Sequence, residues 1–196
     1  MSQVLSVKHQ DTDKTLLGFW IYLMSDIILF ATLFATFIVL RDNTYGGPDG
    51  RELFSLPFVL LETMILLASS FTAGLGLLAA YAGKKSAVLA WFGVTFALGA
   101  AFLGLEIFEF TNLAKEGHSW QASAFLSSFF TLVGTHGLHI TAGLTWMAVV
   151  LWRVYKTGLS DSLKRKLTLL SMFWHFLDII WIFIFTVVYL MGVIDV

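Results

Sequence analysis

Residues 16–40 read LLGFWIYLMSDIILFATLFATFIVL, a run of 25 residues with one charged side chain, Asp26. At 1.5 Å of rise per residue such a run is about 37 Å long as a helix, enough to cross a hydrocarbon core of about 30 Å. Four more stretches read the same way: Pro57–Ala80, Ala87–Thr111, Ala122–Trp152 and Leu169–Gly192. None alternates apolar and polar residues at period two, which excludes a β-barrel reading. The fold class that follows is all-α: a polytopic membrane bundle of five transmembrane helices forming one domain over 1–196.

The bulk numbers agree. The 196 residues are 58% hydrophobic and 13% charged, with a mean hydropathy of +0.82. A soluble domain is about 45–50% apolar and about 25% charged, and could not cover this much apolar side chain. With two prolines and few charge runs, disorder is excluded too. There is no cysteine, so disulfides, iron–sulfur clusters and Cys-based zinc sites are absent from this sequence. A net charge of −1 and no basic tract exclude nucleic acid as a partner.

Punctuation between the runs fits their ends. Gly46-Gly47-Pro48-Asp49-Gly50 is a turn cluster, and Pro57 suits the first turn of a helix, where its missing N–H costs nothing. Residues 1–15 are polar, and the first apolar run is too long for a signal peptide, so it is expected to remain as a span. Counting Lys and Arg by side gives Lys8, Lys14, Lys84, Lys85, Arg153, Lys156, Lys164, Arg165 and Lys166 against Arg41, Arg51 and Lys115. Nine against three predicts a cytoplasmic N-terminus and a periplasmic C-terminus.

No Lys or Arg falls inside a span, yet Asp26, Glu62, Glu106, Glu109 and Asp178 do, as do His136, His139 and His175. A carboxylate at depth costs several kcal/mol unless neutral, paired or facing a cavity, which makes each a functional candidate. Two tiers are expected. Asp26, Asp178, His136 and His139 lie near mid-depth, whereas Glu62, Glu106 and the nearly interfacial Glu109 lie toward the outer end. His136/His139 and His175/Asp178 are i,i+3 pairs, so each shares a face that should turn into the bundle and form acid–imidazole hydrogen bonds between helices. Trp181 continues the His175/Asp178 face, while Trp20 and Trp152 suit an interfacial belt. Three roles stand for this set: polar locks of helix register, proton handling, or lipid-headgroup contact.

Metal chemistry has little support. The His136/His139 face would need further ligands, with His175 the one available, and Glu106/Glu109 lacks the repeated Glu-x-x-His of di-iron bundles. Hydrolase motifs are missing. Small residues at Gly93/Ala97/Ala101, Ala100/Gly104 and Ser70/Gly74 are expected to let helices approach closely. Five unrepeated, unbroken spans argue against a lone secondary transporter. The profile is that of an accessory subunit, with a small proton-linked channel or carrier and a self-contained haem enzyme as the other readings.

Four runs carry a resemblance. Phe19–Asp26 (FWIYLMSD), Leu56–Thr63 (LPFVLLET), Gly134–His139 (GTHGLH) and Phe173–Trp181 (FWHFLDIIW) resemble subunit III of haem–copper terminal oxidases, in the family's order and across nearly the whole chain. Within that family the resemblance is to the bacterial bo-type ubiquinol oxidase branch. It implies a noncatalytic subunit of a proton-pumping complex in the bacterial inner membrane, one that oxidises quinol and reduces oxygen to water in the aerobic respiratory chain. It implies haem and copper in partner subunit I and no cofactor bound by this chain. Subunit III would brace subunit I, meet subunits II and IV, and hold phospholipid. Asp26 stands where the family has a buried carboxylate, often Glu, after a Ser. Longer family members have seven spans, and this chain lacks the first two. Five-span cytochrome c oxidase subunits keep that donor as an alternative.

Overall fold

The computed structural model describes residues 2–48 and 50–193, so Asp49 of the turn cluster and the last three residues, 194–196, fall outside the described part. The described chain is helical, with elements α1 Ser2–Leu40, α2 Gly50–Leu53, α3 Leu56–Tyr81, α4 Lys85–Lys115, α5 Ala124–Thr157, α6 Asp161–Ile184, a π-helical turn Phe185–Leu190 and α7 Met191–Val193. Five helices are long and apolar enough to cross a membrane: Lys14–Leu40, Leu56–Tyr81, Lys85–Lys115, Ala124–Thr157 and Asp161–Val193.

Local chemistry sets the ends. Pro57 occupies the first turn of α3, whose N-cap is Ser55. The Ser123 hydroxyl accepts from Leu126 N at 3.1 Å, and the Ser160 hydroxyl accepts from Leu163 N at 3.3 Å, capping α5 and α6. The tight turns after α3 and α5 close on Gly83 and Gly158, whose φ values of 72° and 78° favour glycine. Two helices begin well before their apolar boundaries: α1 starts at Ser2 and not at Leu16, and α6 starts at Asp161 and not at Leu169. Lys164–Lys166 are polar but helical, so the capped helix runs on beyond its apolar section.

α3, α4, α5 and α6 pack each on the next, and α3 also packs on α6, closing a ring of four. α1 lies outside that ring against α5 and α6. Its contact is narrow: Leu23, Phe30 and Phe37, seven residues apart, are buried, while Leu17, Ile21, Met24 and Ile28 are exposed. Close approach depends on glycines other than those expected. A Cβ on Gly99 would stand 2.7 Å from the Trp174 ring, and one on Gly76 would stand 2.7 Å from the Phe92 ring. Gly74, Gly93 and Gly104 have nothing within 4 Å. Small size at four-residue spacing does not say which face meets a neighbour; the ring does.

Several buried hydroxyls bind back to their own helices, as Thr63 Oγ1 does to Val59 O at 2.8 Å. Others join helices: Thr72 Oγ1 and Thr95 Oγ1 lie 2.8 Å apart between α3 and α4. Trp174 Nε1 donates to Ser69 Oγ and Trp181 Nε1 to Thr63 Oγ1, each at 3.0 Å, tying α6 to α3. In hydrocarbon, packing and such bonds hold helices together, because lipid tails are as apolar as Leu.

Candidate functional site

The two tiers of polar residues take different forms. At mid-depth Asp26 projects from α1 toward α5, where His139 Nε2 lies 3.7 Å from its Oδ2. That is an ion-pair distance and too long for the hydrogen bond expected between helices. The His139 ring is oriented by its own helix, since Nδ1 lies 2.7 Å from Thr135 O. Phe30, one turn beyond Asp26 on α1, packs on the same ring at 5.2 Å between centroids.

His136 does share the inward side of α5 but finds no polar partner. It is wholly buried, and neither ring nitrogen is hydrogen-bonded. Its surroundings are aromatic: Trp181 at 5.3 Å, Phe102 at 6.0 Å and Phe30 at 6.4 Å between centroids. Trp181 is inside the bundle, as its place beside the polar set predicted. Asp178 is buried next to Ser70 of α3. His175 differs: it is exposed on the outer side of α6, with Nδ1 turned back to Ser171 O at 2.6 Å. Three residues on a helix advance by about 300°, and that offset carries His175 past the edge of the buried face that holds Asp178 and Trp181.

The outer tier is the more compact. Glu62 of α3 and Glu106 of α4 are 0% and 2% exposed. Both lie within interaction range of the half-buried Glu109, and Glu106 also of Glu62. None of the four oxygens of Glu62 and Glu106 has a hydrogen-bond partner among the described residues. α5 approaches them through Gly137, where a Cβ would stand 2.7 Å from Glu106 Oε1. The cluster is completed by a residue that sequence reasoning missed: Tyr189, wholly buried, donates its hydroxyl to Glu109 Oε2 at 3.0 Å. Tyr189 lies in the π-helical turn, whose widened winding shifts side chains off the 3.6-residue period used to read faces. Thr63, Ser69 and Ser70 were missed too, although each lies on the same helix as Glu62.

Buried carboxyl groups whose oxygens have no hydrogen-bond partner among the described residues can hold protons and hydrogen-bonded water. They are a poor metal cradle. Among the described residues no three His, Asp or Glu side chains come together as ligands. The Nδ1 atoms of His139 and His175 are already engaged by backbone carbonyls.

Fold and polar set define a polytopic helical membrane protein whose buried chemistry is acid and imidazole. Comparison with known proteins gives this class its family: residues 5–193 match cytochrome c oxidase subunit III. The chain belongs to that family. It is 56% identical over 184 residues to the cytochrome bo(3) ubiquinol oxidase subunit 3 of Pseudomonas aeruginosa, covering 94% of this chain and 88% of that one. The protein of the same name in Pseudomonas putida is 54% identical, covering 94% and 89%. A quinol oxidase subunit 3 of Bacillus subtilis is 48% identical, covering 90% and 87%.

Proposed function

We propose that this chain is the noncatalytic subunit III of a proton-pumping terminal quinol oxidase in a bacterial inner membrane. The observation that carries the reading is the similarity to ubiquinol oxidase subunits 3 over 94% of the chain. The site supports it from the chemical side. The polar residues make helix-to-helix contacts and an enclosed acid cluster, a set suited to bracing a bundle and holding protons. In this reading haem and copper sit in subunit I, which reduces oxygen to water, and subunits II and IV complete the complex. The Lys-rich ends of α3 through α6 face the cytoplasm and α7 the periplasm, following the positive-inside rule. Phospholipid covers the outward faces of the helices. At the Lys-rich end of α5, the Lys156 ammonium stands 5.4 Å from the centre of the exposed Trp152 ring, an arrangement suited to headgroup level.

The test is purification of the tagged chain from its own membranes in mild detergent, with subunit identification, haem and copper analysis and oxidase assays. Co-purification with a large haem- and copper-bearing subunit, together with quinol oxidase activity, is the expected result. Oxidation of cytochrome c in place of quinol would change the donor and keep the role. A chain recovered alone and conducting protons in liposomes would overturn the reading.

A further inference from the structure

Among the described residues, the largest side chains that the bundle buries completely are Trp174, Trp181 and Tyr189. All three come from α6 and the π-helical turn that continues it. Trp174 and Trp181 are seven residues apart, so they share a face of α6 and lie about 10.5 Å apart along its axis. The Tyr189 ring follows, 6.2 Å from Trp181 between centroids. Aromatic rings at such separations, closed off from water, can exchange an electron by tunnelling. Phe102 packs on Trp181 at 4.6 Å and Phe54 on Tyr189 at 4.7 Å, which seals the row.

The polar ends of the three rings differ. Both indole N–H groups donate to hydroxyls, Trp174 to Ser69 Oγ and Trp181 to Thr63 Oγ1. Those hydroxyls are committed to backbone carbonyls, Ser69 Oγ to Leu66 O at 2.7 Å and Thr63 Oγ1 to Val59 O at 2.8 Å. A hydroxyl is too weak a base to take the proton of an oxidised indole. The Tyr189 phenol instead donates to a carboxylate oxygen, Glu109 Oε2, at 3.0 Å. A phenol gives up an electron readily only when its proton has a base to go to, and of the three rings this one alone is bonded to a base. Packing does not call for the hydroxyl. Phe would fill the same space between Phe54 and Phe129 without bringing a polar group into an apolar layer. The ring is put there by a π-helical turn, a winding frequent at functional sites.

We infer that Trp174, Trp181 and Tyr189 form a path that draws an oxidising equivalent into the bundle and rests it on Tyr189, with Glu109 as the proton acceptor. The oxidant is a one-electron radical of the peroxyl class, which arises where lipid meets oxygen chemistry. A lipid peroxyl radical at the membrane face takes one electron from the tryptophans and becomes a hydroperoxide anion, which is protonated by water. The tryptophans recover that electron from Tyr189. Its O–H bond breaks, the proton passes to Glu109, and a neutral phenoxyl radical is left hydrogen-bonded to a carboxylic acid. One electron from a quinol, with return of the Glu109 proton, restores the pair; the quinol sheds one proton and leaves as a semiquinone. The path lies wholly within this chain, whatever complex it belongs to.

The test uses the full chain in detergent micelles. Because it has no cysteine, a ruthenium photosensitiser can be attached at Phe71→Cys, an exposed position on α3 two residues beyond Ser69. A laser flash with an electron-accepting quencher then produces a one-electron oxidant at that site, and transient absorption follows the radicals. A tryptophan radical that decays into a tyrosyl radical is expected. Tyr189→Phe should abolish the tyrosyl signal and leave the oxidation on tryptophan. Glu109→Gln keeps a hydrogen-bond acceptor but not a base, and should slow tyrosyl formation about a hundredfold, the lower end of what a positioned base contributes. Trp181→Phe, which keeps an aromatic ring in the row, should delay it as well. A tyrosyl signal that persists in Tyr189→Phe, full-rate tyrosyl formation in Glu109→Gln, or a radical that never leaves tryptophan in the labelled parent overturns the inference.

Discussion

Gly99 shows how much depends on single atoms in this bundle. A methyl group there would meet two carbons of the Trp174 ring at 2.7 Å and Leu144 Cδ2 at 3.2 Å. The ring has no easy retreat, because its Nε1 is bonded to Ser69 Oγ at 3.0 Å. Gly99→Ala should therefore destabilise the chain by about 1–3 kcal/mol through overpacking, against a gain in helix propensity of about 1 kcal/mol. Gly104, on the same helix five residues away, has nothing within 4 Å. There the propensity gain acts alone, so Gly104→Ala should be neutral or stabilising. Thermal melting of both variants in one detergent checks the pair, and equal melting temperatures would contradict the contact at Gly99. The sequence offers both glycines at comparable spacing from small neighbours. Only the packing partner, a Trp 75 positions further along, distinguishes them.

Among the elements, the π-helical turn Phe185–Leu190 does the most to shape the polar set. A wider turn places an extra residue in the winding of α6 and resets the face of everything after it. Here it brings Tyr189 inward to Glu109 and against Phe54, with ring centroids 4.7 Å apart. Removing one residue, Val187, should return the segment to α-helical winding and turn Tyr189 away. Such a deletion should cost more stability than Tyr189→Phe, which loses only the hydroxyl bond and leaves a buried acceptor unpaired, a cost of about 1–3 kcal/mol. A deletion variant that melts above Tyr189→Phe would contradict this role for the turn. Spans and their order were legible in the sequence because long apolar runs record burial in lipid directly. Asp26, Glu62, Glu106, Asp178 and Trp181 were legible for the same reason, and all five are buried. Tyr189 was not, because an aromatic residue near a span end reads as interfacial and a π-turn leaves no composition signal. His175 was read as inward from i,i+3 spacing, which is too coarse to separate a buried face from its edge.

For the whole molecule, the uneven charge of its two ends makes a claim about direction. The turn between α3 and α4 carries Lys84 and Lys85, and the connection from α5 to α6 is flanked by Arg153, Lys156 and Lys164–Lys166. The opposite end holds the α1–α3 and α4–α5 connections, with Arg41, Arg51 and Lys115. Lys85 is anchored where it stands, donating to Tyr155 O at 2.8 Å, so this charge belongs to one defined surface. Retention of Lys and Arg on the cytoplasmic side then predicts that Lys84 faces inward and Gln121 outward. A chain without cysteine lets each position be labelled alone. Lys84 and Gln121 are both exposed, so replacing either by Cys disturbs no buried group. In intact spheroplasts a membrane-impermeant maleimide should label Gln121→Cys and spare Lys84→Cys until the membrane is opened. Labelling in the reverse order would invert the bundle, placing Glu62, Glu106 and Glu109 toward the cytoplasm. The acid cluster would then stand near the side from which a respiratory pump takes its protons. In the expected order it stands near the side of release, so the same two labels also decide which half of a proton's passage this cluster adjoins.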